Sequence, residues 1–113
     1  MSLITFKDFS KVNLKIGTIL AAEEVEGKDK IFKLSIDLGE EDHRELLAGL
    51  KEFYSREELE GKQVIVVTNL EPKKIAGIES KGMILAAESR EGETTKVSLI
   101  EPDKNMPCGS RIY

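Results

Sequence analysis

The chain has 113 residues, of which 40% are hydrophobic and 34% are charged, and its formal net charge is −4. This length suits one domain with a core and leaves no room for a separate catalytic domain. No apolar run approaches the roughly 18 residues needed to cross a bilayer, which excludes a membrane span, and Lys7, Asp8 and Lys11 interrupt any signal-peptide core.

The chain contains one cysteine, Cys108, and one histidine, His43. A single cysteine cannot form an intrachain disulfide, which suits a reducing cytoplasm. Together the two residues fall short of the ligand set that zinc requires, and His43 lies in a polar turn where a solvated side chain is expected. We therefore predict a cytoplasmic protein with no metal site, no cofactor and no catalytic residue.

A capped turn and three strands are predicted for the first half of the chain. Residues 5–9 have the pattern of a capped turn that packs one of its two phenylalanines over a sheet end. A period of two over residues 14–23 predicts a long first strand, and residues 32–38 and 45–50 predict the next two, joined by the acidic turn 39–43. One side of the first strand would present Leu14, Ile16, Thr18, Leu20 and Ala22.

In the second half, Ser55 and Glu58 have the spacing of a capping box, so they predict a short helix that ends at Gly61. Residues 63–68 are β-branched and uninterrupted, which indicates a buried fourth strand. After a loop, two further strands are predicted at residues 82–87 and 94–100, separated by a turn at residues 90–93.

About five strands with a helix between the third and fourth is the plan of the OB-fold, a small Greek-key barrel whose face and loops bind oligonucleotides. We predict an all-β, five-stranded closed barrel with a C-terminal extension. The whole chain, residues 1–113, would be one domain, with the barrel over about 12–100 and the extension over about 101–113.

The segment 69–87 is the most informative part of the sequence. Pro72 prevents continuation of the preceding strand, so a lysine-bearing loop is expected between two buried strands. Residues 61–87 contain four lysines and two glutamates, a net charge of +2 against −6 elsewhere. The alternative is a solvated loop with Asn69 capping a turn and Met83 in the core. Side chains that could reach phosphates or bases are Asn69, Lys73, Lys74, Ser80, Lys81 and Met83.

Residues 69–87 also meet the pattern Asn-Leu-x-Pro-x-Lys, then a glycine, then Ser-x-Gly-Met-x-Leu-Ala-Ala, and earlier matches lie at residues 13–17, 29–31, 49–50 and 54–61. By these residues the chain resembles the tRNA-binding OB domain of methionyl-tRNA synthetases, found as a beta subunit or C-terminal domain. The same domain occurs in standalone structure-specific tRNA-binding proteins and in the endothelial monocyte-activating polypeptide II group.

The resemblance implies that tRNA is the ligand, recognised more by its folded shape than by its sequence. It adds Lys33, on the second strand, to the tRNA surface formed by the side chains of residues 69–83. The chain departs from the family pattern at residues 26–28 and at Ala48. It also departs at Ala76, a position where the family often has a basic residue. We therefore expect weak, salt-sensitive binding.

In the resembling proteins, an extension such as residues 101–113 joins two copies. A homodimer would double the positive surface and give avidity for one tRNA. The catalytic chain of methionyl-tRNA synthetase is the second protein partner that the resemblance implies. The alternative for the extension is a tail packed on its own barrel.

A peptide-binding chaperone and an enzyme are the two alternative functions. Dimeric, peptide-binding chaperones associated with secretion share this barrel, although in them the Ser-x-Gly-Met-x-Leu-Ala-Ala block of residues 80–87 is not kept. An enzyme would need a nucleophile with its base, a metal cluster or a glycine-rich phosphate loop, and none of these patterns is present.

Overall fold

Ten strands and two single-turn helices make up the chain, and the computed structural model describes all residues from Met1 to Tyr113. The helices are α1 (Phe6–Phe9) and α2 (Arg56–Leu59). Four longer strands come first: β1 (Leu14–Val25), β2 (Lys28–Asp37), β3 (Arg44–Ala48) and β4 (Gln63–Val67). The remaining strands are β5 (Lys73–Ile75), β6 (Ile78–Ser80), β7 (Met83–Ile84), β8 (Ala86–Glu91), β9 (Thr94–Leu99) and β10 (Arg111–Ile112).

The main sheet is antiparallel and has the strand order β3-β2-β1-β4-β7, with β10 added beside β1. Two hairpins, β5–β6 and β8–β9, form separate ladders. The first three strands form a meander, and α2 precedes β4. This arrangement confirms the predicted all-β, OB-like plan. No helix of the chain is long and apolar enough to cross a membrane.

The expected closure of the barrel by a continuous ladder is wrong, because β3 and β7 are not paired. Residues 80–81 bridge the gap with two isolated hydrogen bonds instead. The Lys81 amide donates to the Glu45 carbonyl oxygen at 3.0 Å, and the Leu47 amide donates to Ser80 Oγ at 2.9 Å. A side chain therefore replaces part of the backbone ladder at this seam.

The core is formed mainly by side chains of β1 to β4, and it includes Leu59 of α2, which is fully buried. Its other fully buried large side chains are Ile19, Leu34, Ile36, Leu46, Val64 and Val66. Burial of aliphatic side chains of this size stabilises the fold by about 1.5–3 kcal/mol each.

The predicted alternation along the first strand fails at Leu20. The register of β1 against β2 shifts between Ile19 and Ala21, which is a β-bulge. Ile19 and Ala22 are therefore fully buried, while Leu20 is 42% exposed. A bulge changes the phase of the side chains, so a strict period of two cannot locate the core face on both sides of it.

The two helices share one capping device and differ in burial. In α2 the Ser55 hydroxyl accepts from the Glu58 amide and the Glu58 carboxylate accepts from the Ser55 amide, as predicted. Thr5 and Asp8 make the same pair of bonds at α1. Neither phenylalanine of α1 is buried: Phe6 is 81% exposed, and Phe9, which lies beside Leu14 of β1 and Ile112 of β10, is 38% exposed.

The C-terminal extension lies along β1 of its own chain. The Gly109 amide donates to the Ile16 carbonyl at 2.7 Å, and the Ile16 amide donates to the Ser110 carbonyl at 2.9 Å. Further back, the Gln63 side chain exchanges two hydrogen bonds with the backbone of Met106. The extension thus contacts its own barrel through these hydrogen bonds.

A tight turn at Ala76 and Gly77 joins β5 to β6, and both residues have positive φ angles, 53° and 78°. Two successive positive φ angles are typical of a type I′ hairpin turn, in which asparagine is favoured at the first position. An alanine in this left-handed conformation is strained by about 1–2 kcal/mol.

Replacing Ala76 by asparagine should therefore raise the free energy of unfolding by about 1 kcal/mol, measured by urea denaturation. Ala76→Val is the matched control and should lower it, because a β-branched side chain is strained further at positive φ. An Ala76→Asn protein no more stable than the parent would contradict the turn assignment.

Candidate nucleic-acid interface

The hairpin β5–β6 lies in the segment that was predicted to be a loop, and its register sorts the lysines by face. Lys73 is opposite Ser80, and Lys74 is opposite Glu79. Directly opposed residues point to the same side of a ladder, so Lys73 and Lys74 point to opposite sides. Lys74 therefore has an opposite charge beside it on its own face.

Asn69 holds the entry to the hairpin. Its Oδ1 accepts from the Asn13 amide at 2.9 Å, and its Nδ2 donates to the Lys11 carbonyl at 2.6 Å. The neighbouring Thr68 adds a hydrogen bond from its hydroxyl to Asn13 Oδ1 at 2.6 Å. The amide of Asn69 is thus engaged with the chain itself.

Ser80 is only 7% exposed, so the structure does not bring it to the surface with the lysines. Its hydroxyl accepts from the Leu47 amide at 2.9 Å and donates to the Gly82 carbonyl at 3.3 Å. Within the hairpin, Ser80 positions the exit strand, and this role could not be read from the segment alone.

Met83 is 46% exposed, so the alternative of a core methionine does not hold. It is opposite Val67 on β4, and Val67 is opposite Leu14 on β1. These three side chains therefore share one face of the main sheet. Met83 offers an apolar, polarisable surface at the β7 end of this row.

Lys73, Lys74 and Lys81 have no carboxylate within 4.0 Å, whereas six of the 17 lysines and arginines of the chain do. At Lys51, for comparison, a hydrogen bond to Glu24 at 2.9 Å lowers the pKa of the Glu24 carboxyl. A hydrogen bond to Glu101 raises the pKa of the Lys62 amine. The lysines of residues 73–81 are therefore exposed cations without an ion-pair partner.

Lys33 on β2 is held between two carboxylates. Its Nζ is 3.7 Å from Glu23 Oε2 and 3.5 Å from Glu45 Oε2, and its side chain is 26% exposed. Glu45 also accepts the Lys81 amide through its backbone, which places Lys33 at the edge of the hairpin surface. Lys33 thus lies beside the other predicted residues, with its charge compensated.

Releasing Lys33 should strengthen RNA binding. The double variant Glu23→Gln, Glu45→Gln removes both partners, and we expect about threefold tighter binding of tRNA in a filter-binding titration. The matched control is Glu57→Gln, Glu60→Gln, which changes the net charge equally around α2. An equal gain in the control would show that only total charge matters.

A cleft of about 590 Å³ separates the hairpin from the turn after β2. It is lined by four carboxylates together with Ser35, His43, Arg44, Ile78 and Lys81. The carboxylates, Glu40, Asp42, Glu45 and Glu79, outnumber the cations, so phosphates are repelled from this cleft. No group of three or more histidine, cysteine or acidic side chains could hold a metal ion.

The site thus combines an OB-like sheet with a hairpin of unpaired lysines. The model of a family described as a putative tRNA-binding domain matches residues 14–111. The chain belongs to that family. A methionine–tRNA ligase of Caldanaerobacter subterraneus subsp. tengcongensis is 50% identical over 109 residues, which cover 96% of this chain and 16% of the ligase. The chain thus spans about a sixth of the length of such relatives.

Two solved structures resemble the fold over essentially the whole chain. A methionyl-tRNA synthetase-related protein from Pyrococcus horikoshii has a TM-score of 0.89 and 38% identity, with both chains fully covered. The chaperone CsaA from Bacillus anthracis str. Ames has a TM-score of 0.85 and 32% identity, covering 99% of this chain and 100% of its own. The fold is therefore shared by a synthetase-related protein and a chaperone.

Proposed function

We propose that this domain binds tRNA in support of methionyl-tRNA synthetase, by contacts that follow the folded shape of the tRNA. The observation that carries the proposal is the β5–β6 hairpin with its flanks. In this acidic chain, it presents three lysines without carboxylate partners, within a domain of the putative tRNA-binding family. Lysines meet phosphates as point charges and carry no base specificity.

The contacts proposed from the sequence separate into two roles. Lys73 and Lys74 would bind phosphates, and Met83 would pack against a base or ribose. Lys81 would contribute less to phosphate binding, because it lines the cleft that contains four carboxylates. Lys33 would join them when it leaves its carboxylate partners. Asn69 and Ser80 would act indirectly, because their polar atoms are already bonded within the chain and fix the path of the hairpin.

A competition experiment tests recognition of shape. Labelled tRNA bound to the domain is challenged with unlabelled tRNA, with poly(U) and with duplex RNA at equal nucleotide concentration. We expect folded tRNA to displace the label at a concentration about tenfold below poly(U). Equal displacement by all three would mean that the domain recognises charge alone.

The partner and the setting of the domain follow from the same proposal. In this proposal the domain supplies no catalytic residue for aminoacylation. Similar segments occur in methionine–tRNA ligases, of which they form about a sixth. The domain would raise the affinity of a synthetase's catalytic chain for tRNA, either as part of it or as a separate subunit. This assigns the domain to the cytoplasm and to a non-enzymatic role.

Peptide binding of the chaperone type is the second candidate, favoured by the similarity to CsaA. An apolar groove of about 290 Å³ would fit side chains of an extended peptide. It is lined mainly by Leu47, Leu50, Ile84, Val97 and Leu99. The shared identity is higher with the synthetase-related protein, 38% against 32%. Suppression of aggregation of an unfolded protein, undiminished by saturating tRNA, would favour this candidate.

We also propose a homodimer, formed through an apolar cluster where the two chain ends meet. The cluster combines α1 and the residues after it with β10 around a cavity of about 310 Å³. Its apolar side chains are Phe6, Phe9, Val12, Leu14, Ile112 and Tyr113. Phe6 is 81% exposed and Tyr113 is 92% exposed, which is more than is usual for aromatic side chains of a folded protein.

Sedimentation velocity tests the dimer. We expect a dimer at micromolar concentration and a monomer for the variant Phe6→Ser, Tyr113→Ser, since both rings would be buried on association. Phe53→Ser, which removes a partly exposed ring from the loop before α2, is the control. A monomeric parent protein would overturn this part of the proposal.

A further inference from the structure

Arg44, the first residue of β3, reaches across the open seam of the barrel. Its Nη1 donates to the Thr68 carbonyl at 2.7 Å and to the Lys81 carbonyl at 3.3 Å. Its Nη2 donates to Glu40 Oε2 at 2.7 Å, and the side chain is only 19% exposed. The guanidinium is thus fixed on three sides.

The two carbonyls that Arg44 holds belong to the residues on either side of the segment 69–80. Thr68 follows β4 directly, and Lys81 follows β6 directly. Asn69 fixes only the entry and Ser80 only the exit. The pairing of Val67 with Met83 also joins the flanks of the lysine-bearing segment. Arg44 adds the one side chain that bonds both end residues, Thr68 and Lys81, and it links them to β3.

We propose that Arg44 is a positioning residue for RNA binding, which sets the separation and angle of the lysine hairpin. This inference rests on the proposed tRNA binding. The rigid, planar donors of a guanidinium can serve two carbonyls and a carboxylate at once, whereas the ammonium of lysine is a single point on a flexible stem. Its own charge is compensated by Glu40, so its effect on phosphates passes through the hairpin.

The physical reason is preorganisation. A hairpin held at both ends keeps its lysines in one arrangement before the RNA arrives, so less conformational freedom is lost on binding. The ladder β5–β6 itself has only three residue pairs and a strained turn. Without Arg44, Thr68 would lose its link to β3, and Lys81 would keep only the bond of its amide to the Glu45 carbonyl.

The test compares Arg44→Lys with the control Arg56→Lys, which alters an exposed arginine of α2 without an ion pair. We expect Arg44→Lys to weaken tRNA binding about tenfold, and Arg56→Lys to leave it unchanged. Hydrogen exchange of the amides of residues 73–81 should become faster in Arg44→Lys, while exchange in β1 and β2 stays the same. The exchange result does not depend on tRNA, so it separates this inference from failure of the proposed function.

A double-mutant cycle with Lys73→Ala, Lys74→Ala distinguishes positioning from a general loss of stability. If Arg44 acts through the lysines, its replacement should cost little further affinity once they are absent. Additive losses, or unchanged exchange in residues 73–81, would overturn the proposal. Should Arg44→Lys fail to fold, Glu40→Gln, which changes one of the three acceptors of the guanidinium, replaces it and is judged by exchange alone. Faster exchange in residues 73–81 would support the proposal, and unchanged exchange would overturn it.

Discussion

Replacing Lys73 and Lys74 together by alanine should weaken tRNA binding about tenfold and flatten its dependence on salt. Each lysine that neutralises a phosphate releases counterions, so the slope of log K against log salt should become shallower by about 0.7–0.9 per lysine, or about 1.5 in all. Both lysines are exposed and lack a carboxylate within 4.0 Å. Their loss should leave the fold intact.

The matched control is Lys96→Ala, Lys104→Ala, which removes the same charge from β9 and the extension. These lysines are also exposed and unpaired, and they lie outside the hairpin. Filter-binding titrations at several salt concentrations measure both the affinity and the slope. A slope that is unchanged in the hairpin variant, or equally reduced in the control, would show that the hairpin is not the phosphate-binding surface.

Gly109→Ala should destabilise the protein more than any surface change considered above, by about 2–4 kcal/mol. Gly109 has a φ of +89°, and a Cβ there would lie 2.5 Å from the Leu38 carbonyl oxygen. A Cβ added at Gly39 would likewise lie 2.5 Å from the Cys108 carbonyl oxygen. Backbone therefore meets backbone at this contact, and no flexible side chain could move to relieve a collision. The extension would have to leave β1.

Gly61→Ala separates steric collision from backbone strain. Gly61 has a similar φ of +92°, but a Cβ there would meet nothing within 4 Å. We expect that variant to lose only about 1 kcal/mol. Urea denaturation gives both values, and hydrogen exchange of Ile16 and Gly109 reports release of the extension. Equal losses at the two positions would contradict the close packing of the tail.

The sequence predicted the elements whose signals are local. The alternation of β2, the apolar run of β4 and the capping box of α2 each depend on residues within a few positions, and each was confirmed. The family pattern over residues 69–87 identified the segment that contains Lys73, Lys74 and Lys81. Local chemistry and a specific motif were sufficient for this much.

The hairpin β5–β6 was predicted as a loop because its strands have three residues each and its turn is Ala-Gly, not the usual Asn-Gly. The predicted strand at residues 82–87 is divided at Leu85, where the chain passes from β7 in the main sheet to the β8–β9 hairpin. A period of two indicates extended backbone and does not indicate which partner each half selects.

Contacts between residues far apart in the sequence explain the other features that differ between the prediction and the structure. The bond of Arg44 to Thr68 spans 24 positions, and that of Ser80 to Leu47 spans 33. Ser80 was assigned to the surface from its place in the motif, and Arg44 was not assigned any role. Both act at the seam where the ladder is incomplete, which only the folded chain reveals.

Direct titration of the domain with bulk tRNA at low and at near-physiological salt tests the central claim. We expect saturable binding at low salt that weakens about tenfold or more between 50 and 200 mM monovalent salt, since a few lysines supply the contacts. Absence of detectable binding at low salt would contradict tRNA binding by this domain.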